Sequence, residues 1–120
     1  MTTGMVLGKF LPPHLGHQYL IDFARHYVDD LTVVVGTLSS EPIPGELRFT
    51  WMQQMFAGTG VRLVHLDLEL PQAPEEHPDF WELWTAALQP LVPQPLDFVF
   101  SRDDAADATH DVRLHRSNSA

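Results

Sequence analysis

Apolar positions along the chain alternate between two spacings, and each switch marks an element. Gly4 to Phe10 opens with "GMVLG", a short apolar run closed by Gly8 that reads as a buried strand. Leu11 to His14 holds Pro12 and Pro13 and reads as a loop. From Leu15 to Val28, apolar residues at 15, 19, 20, 23, 24 and 27 form a helical stripe. Asp29 and Asp30 end it, and "LTVVVG", Leu31 to Gly36, is a β-branched run suited to a strand buried on both faces. Thr37 to Gly45 contains two prolines and reads as a loop. Glu46 to Ala57 reads as a helix closed by Gly58 and Gly60. "VRLVHLDL", Val61 to Leu68, predicts a strand with Val64, Leu66 and Leu68 on one face. The acidic, proline-bearing stretch Glu69 to Pro78 is a loop. Phe80 to Gln89 reads as a helix with Asp79 as N-cap and Glu82 three residues on. Pro90, Pro93 and Pro95 make a stiff connector, and "LDFVFS", Leu96 to Ser101, is a fourth strand.

Strands that alternate with single helices predict right-handed crossovers. The expected fold class is therefore α/β, a Rossmann-like doubly wound parallel sheet of about four to five strands with helices on both faces. Residues 1–101 form one domain. Residues 102–120 are polar and read as a loosely held tail, in which "DVRLH" offers at best a short edge strand. The sheet edge beside that tail then lies unpaired and predicts self-association into a homo-oligomer. Ligands of such sheets bind beyond the carboxyl ends of the strands, where the first strand has neighbours on both sides. The segment "GKFLPPHLGHQY", Gly8 to Tyr19, falls there.

Composition narrows the chemistry. An apolar content of 44% with 10% aromatic residues is that of a chain with a core, not a disordered one. Formal net charge is −9, and seven Lys and Arg residues form no patch. A general nucleic-acid-binding surface is excluded on that ground. An anionic ligand has to be met by cations placed locally, which singles out Lys9, the only lysine, and Arg48. The absence of cysteine removes disulfide and thiolate chemistry. No apolar run reaches the ~18 residues of a membrane span. The first residues lack the pattern of a signal peptide, so no membrane partner and a cytoplasmic location are expected.

His14-Leu15-Gly16-His17 opens the first helix, where backbone N–H groups and the helix dipole favour anions. Gly16 leaves room for a phosphate or a nucleotide ring, and Lys9 hangs from the loop just ahead. Imidazoles, an ammonium and helix N–H groups around one point suit phosphoryl or nucleotidyl transfer, where catalysis is mostly positioning and charge stabilisation. A His pair three apart is also a common feature of helix surfaces, and half of a metal site. The segment has neither the Gly-Lys-Ser/Thr of a Walker A loop nor a Gly-x-Gly-x-x-Gly turn. His26, His65, His77, His110 and His115 share no metal-ligand spacing, so no protein-held metal is assigned.

"GKFLPPHLGHQYLIDFA" resembles the signature of the nucleotidyltransferase superfamily, His/Thr-x-Gly-His after a Gly-x-Phe strand end. It is most similar to the nicotinamide mononucleotide adenylyltransferase domain of bifunctional bacterial NAD-biosynthesis regulators. "RFTW", Arg48 to Trp51, resembles that branch's Arg-x-x-Trp, and "DFWELW", Asp79 to Trp84, its Trp-x-x-Trp helix. The likeness implies adenylyl transfer from ATP, with Mg2+, to nicotinamide mononucleotide, giving NAD and pyrophosphate. It implies that His14 and His17 bind the ATP phosphates and that Lys9 neutralises their charge. Gly8, Phe10 and Gly16 would line the nucleotide cleft, as would Gly36 at the end of the second strand. Arg48, Trp51 and Trp81 would contact the acceptor, with Trp84 given to packing; each has an alternative, an exposed helix charge for Arg48 and core positions for the tryptophans.

One part of the superfamily pattern has no counterpart here: the Ser/Thr-x-x-x-x-Arg signature that follows the fourth strand in relatives. Two other readings stay open beside the first. One is transfer to a different acceptor, pantetheine phosphate or a cytidylyl acceptor. The other is a nucleotide-binding remnant without catalysis. In each case the expected partners are ATP and a small nucleotide or phosphate-bearing acceptor.

Overall fold

The structure is a computed structural model and describes residues 1–102 and 112–116. Strands β1 (Thr3–Gly8), β2 (Asp30–Gly36), β3 (Arg62–Leu66) and β4 (Phe98–Arg102) run parallel, in the order β3-β2-β1-β4. Helices α1 (Leu15–Tyr27), α2 (Gly45–Met55) and α3 (Phe80–Leu88) connect them in turn. A further strand, β5 (Val112–Arg116), pairs antiparallel with β4. Val6 faces Val33 on one side and Phe100 on the other, so β1 lies between β2 and β4, where the strand order reverses.

Each face of the sheet has its own core. Val6, Leu31, Val33, Val35 and Phe100 pack against α1 and α2 through Leu20, Ile21, Ala24, Met52 and Phe56. Met5, Val34 and Leu66 pack with Val92, Trp84, Ala87 and Leu88 on the α3 side. The chain thus winds outward from β1 to β3 under α1 and α2, then returns across the opposite face to place β4 beside β1. This is the doubly wound arrangement predicted from the order of elements.

Several details differ from the sequence expectation. The helical stripe of α1 is turned: Leu20, Ile21 and Ala24 are buried, while Leu15, Tyr19, Phe23 and Tyr27 are exposed along one edge. Periodicity locates an apolar arc, but only the neighbouring strands decide which part of it meets the sheet. Phe23 and Tyr27 sit at the border and meet Phe100 and Phe98 edge-on. β3 stops at Leu66, so Leu68 is exposed outside the strand. Asp79 holds the N-cap position of α3 without a side-chain capping bond; its backbone (φ −104°, ψ 31°) is not the extended one that aims a cap at the helix. Gly58 and Gly60 adopt φ of 78° and 82°, and they carry the turn from α2 into β3.

"DVRLH" supplies β5, and the edge of β4 expected to be open is paired along Phe98 to Arg102. That removes the stated ground for self-association along β4. The rest of the segment read as a loose tail, residues 103–111 and 117–120, lies outside the described residues. No helix among the described residues is long and apolar enough to cross a membrane.

Candidate functional site

β1 ends at Gly8, and the chain turns sharply into Lys9 and Phe10. Phe10 has a φ of 51°, a left-handed value that costs a bulky residue energy unless its surroundings hold it. They do. Its ring is buried, lies so close over Gly8 that a Cβ there would come within 3.0 Å, and meets the His17 ring edge-on at 4.7 Å. The Lys9 carbonyl accepts a hydrogen bond from Arg48, which pins the turn from the other side.

The start of α1 is capped by imidazoles. His14, in extended conformation, accepts the Gly16 N–H at Nδ1 (3.0 Å). His17 Nδ1 accepts the His14 N–H (3.1 Å). This is the reciprocal geometry of a capping box, with two histidines in place of the usual Ser and Glu. The rings stack with centroids 3.8 Å apart. A ring nitrogen that accepts an N–H carries no proton, so the neutral proton of each ring is assigned to Nε2. In that tautomer each imidazole carries an Nε2–H, a donor of the chemical type that suits phosphate oxygens. The Gly16 N–H is used by the cap itself. His14 and His17 line a cleft of roughly 630 Å³ together with Gly8, Lys9, Phe10 and Pro12.

Beside this corner lies a buried ionic hub. Arg48 is completely buried. It donates from Nε to the Ile43 carbonyl (3.1 Å), from Nη1 to the Lys9 carbonyl (3.0 Å) and from Nη2 to Glu41 (2.8 Å). Arg48 is thus neither the exposed helix charge nor a group open to an acceptor; it straps α2 to the turn after β1. Glu41, with 9% of its side chain exposed, also accepts the Leu38 N–H at 2.8 Å and pairs with the Lys9 ammonium. Burial opposes its ionisation, but hydrogen bonds from Lys9, Leu38 and Arg48 outweigh that and hold its carboxyl at about 2. Sequence reasoning missed Glu41, because an acid in a proline-rich loop carries no pattern that points to a lysine in another loop.

The remaining predicted residues do not line the cleft. Gly36 ends β2, and an added Cβ would make only ordinary contact with Leu7, 3.7 Å away. Trp51 lines a shallow hollow with Pro12, Pro13, Gln54 and Met55. Trp81 is 69% exposed on α3, while Trp84 packs into the core and donates from Nε1 to the Pro71 carbonyl (2.8 Å). A second hollow, of roughly 240 Å³, opens at the ends of β2 and β3 and is lined by Thr37, Glu41, Glu46, His65 and Asp67. In it Thr37 Oγ1 and His65 Nε2 share a hydrogen bond of 2.8 Å, and Phe49 stacks on the His65 ring. Among the described residues no group of three or more His, Asp or Glu side chains could hold a metal ion.

Comparisons agree with this picture. No protein-family model matches the chain. The trifunctional NAD biosynthesis/regulator protein NadR of Escherichia coli K12 is 30% identical over 122 residues, covering 87% of this chain and 28% of the relative. The nicotinamide-nucleotide adenylyltransferase of Aeropyrum pernix is 32% identical over 108 residues, covering 83% and 58%. A crystal structure of NadR protein in complex with NAD and AMP-PNP superposes with a TM-score of 0.62 and 26% identity, over 75% of this chain and 26% of that one. The chain therefore spans between about a quarter and three-fifths of these relatives' lengths. The likeness read from the His-x-Gly-His corner stands: the chain is similar to the nicotinamide mononucleotide adenylyltransferase branch of the nucleotidyltransferases.

Proposed function

We propose that the chain transfers the adenylyl group of Mg·ATP to nicotinamide mononucleotide, forming NAD and releasing pyrophosphate. The observation that carries this reading is the double-imidazole cap beside Lys9 at the end of β1. A phosphate oxygen of the mononucleotide attacks the α-phosphorus of ATP, and the bond from that phosphorus to the bridging oxygen of the β-phosphate breaks. Negative charge grows on the non-bridging α-oxygens and on the departing pyrophosphate. His14 and His17, held by backbone bonds in the Nε2–H form, stabilise that charge without reorganising. Lys9 is the cation of the same cleft. Gly8 and Phe10 shape its floor, and Gly16 closes the cap that aims His14. The ion enters as Mg·ATP, held by the phosphates and water, as is usual for Mg2+ at nucleotide sites. The activities for which the relatives are named support the same reaction.

The test is direct. Purified protein with Mg·ATP and nicotinamide mononucleotide forms NAD and pyrophosphate in equal amounts. His17→Ala lowers turnover by about 10²–10³-fold, the usual loss for one stabilising donor, with the fold intact by circular dichroism. If NAD does not form while calorimetry registers ATP binding, the non-catalytic nucleotide-binding reading replaces this one.

A further inference from the structure

The Lys9–Glu41 pair lies on a boundary. Lys9 lines the cleft with the two histidines, and Glu41 lines the second hollow with Thr37 and His65. The two ends of the pair are held very differently. The Glu41 carboxylate is fixed from behind by the Leu38 N–H and the Arg48 guanidinium, each at 2.8 Å. The Lys9 side chain is 44% exposed, and among the described residues its Nζ pairs with Glu41. Lysine's flexible four-carbon stem allows its ammonium to swing, whereas the carboxylate cannot follow. If the ammonium leaves, Glu41 is still compensated by Arg48, so no buried charge is abandoned.

We infer that Glu41 is the positioning residue of Lys9: it parks the ammonium at the rim of the cleft, and an entering polyphosphate takes the ammonium over. Ligand binding at this corner then exchanges one ion pair for another, and the Glu41 carboxylate competes with the phosphates. The inference rests on the phosphate reading of the cleft proposed above. Its sign is clear. Removing the Glu41 charge while keeping its acceptor oxygen leaves Lys9 uncommitted, so polyphosphate binds more tightly. A partly exposed pair of this kind limits the gain to about five-fold in affinity.

The chain's single lysine makes the test clean, because protein carrying 15N only in lysine gives one ε-ammonium signal. Three results are expected. Glu41→Gln moves that signal in the free protein. Inorganic tripolyphosphate with Mg2+ moves it in the wild type. Calorimetry gives up to about five-fold tighter tripolyphosphate binding for Glu41→Gln, and no gain when the same change is made in a Lys9→Met background. An equal gain or an equal loss in both backgrounds overturns the inference, because Glu41 would then act on the ligand or on the fold and not through Lys9. Should Glu41→Gln fail to fold, the wild-type titration decides alone. Tripolyphosphate that binds without moving the lysine signal overturns the exchange and leaves the phosphate reading standing. Tripolyphosphate that does not bind at all removes the phosphate reading as well.

Discussion

Arg48 directs its whole guanidinium inward, and that fixes what its loss would do. Three acceptors from two separate segments depend on it: the Lys9 carbonyl after β1, and the Glu41 carboxylate and Ile43 carbonyl in the loop before α2. Arg48→Met leaves a nearly buried carboxylate without its rigid partner, so we expect a loss of about 3–5 kcal/mol in urea unfolding. Arg48→Lys recovers little, because one ammonium cannot reach acceptors arranged for a planar fork. Stability within about 1 kcal/mol of wild type for Arg48→Met would remove the strap from this account. Glu41 adds a pH dependence. Its carboxyl is depressed from an ordinary 4.5 to about 2, so the stability it contributes is present above 4.5 and is lost as pH falls toward 2. That contribution is of order 2–3 kcal/mol, and urea midpoints compared at pH 6 and pH 3 will fall less steeply in Glu41→Gln than in the wild type.

At the scale of elements, the site depends on how closely the start of α2 approaches the end of β2. Gly45 begins α2, and a Cβ added there would lie 2.6 Å from Thr37 Oγ1 and 2.7 Å from its Cβ. Thr37 is buried and its hydroxyl is committed to His65, so it cannot step aside cheaply. Gly45→Ala is expected to cost about 1–3 kcal/mol in thermal unfolding and to disturb the Phe49–His65 stack. A variant that melts with the wild type would show that α2 shifts freely. The α1 cap shows a different dependence. Its two bonds are local, between residues two and three apart, and its histidines stand out in the sequence by their place after the first strand, with Gly8-Lys9-Phe10 just ahead. That they cap the helix through Nδ1 was not legible, because spacing says nothing about which ring nitrogen faces the backbone.

On the scale of the whole molecule, binding at the cleft joins the turn after β1 to α1, and through Arg48 to α2. A ligand that binds only the folded chain stabilises it by mass action, by about 2.7 kcal/mol at a hundred times its Kd. Mg·ATP at that excess is expected to raise the melting temperature by on the order of 10 °C. His17→Ala should reduce that shift sharply, and a full shift in the variant would place the nucleotide elsewhere. The net charge of −9 repels anions at long range, which makes the local cation Lys9 matter more at this corner.

Two kinds of information separate here by the distance along the chain over which they act. Strand and helix order, the doubly wound sheet and the corner from Gly8 to His17 were readable from residues alone. Period, proline placement and a ten-residue neighbourhood are local properties, and the parallel topology follows from alternation by chain sterics. Only folding could reveal that α1 buries Ile21 and leaves Leu15, Tyr19, Phe23 and Tyr27 exposed, because the sheet selects the arc of the helix it covers. Folding likewise decided that Arg48 is a buried strap. Its bond to the Lys9 carbonyl spans 39 residues, and the Lys9–Glu41 pair spans 32. Contacts of that reach exist only once β1, β2 and α2 have packed, and their chemistry is set by burial, which no single stretch of sequence carries.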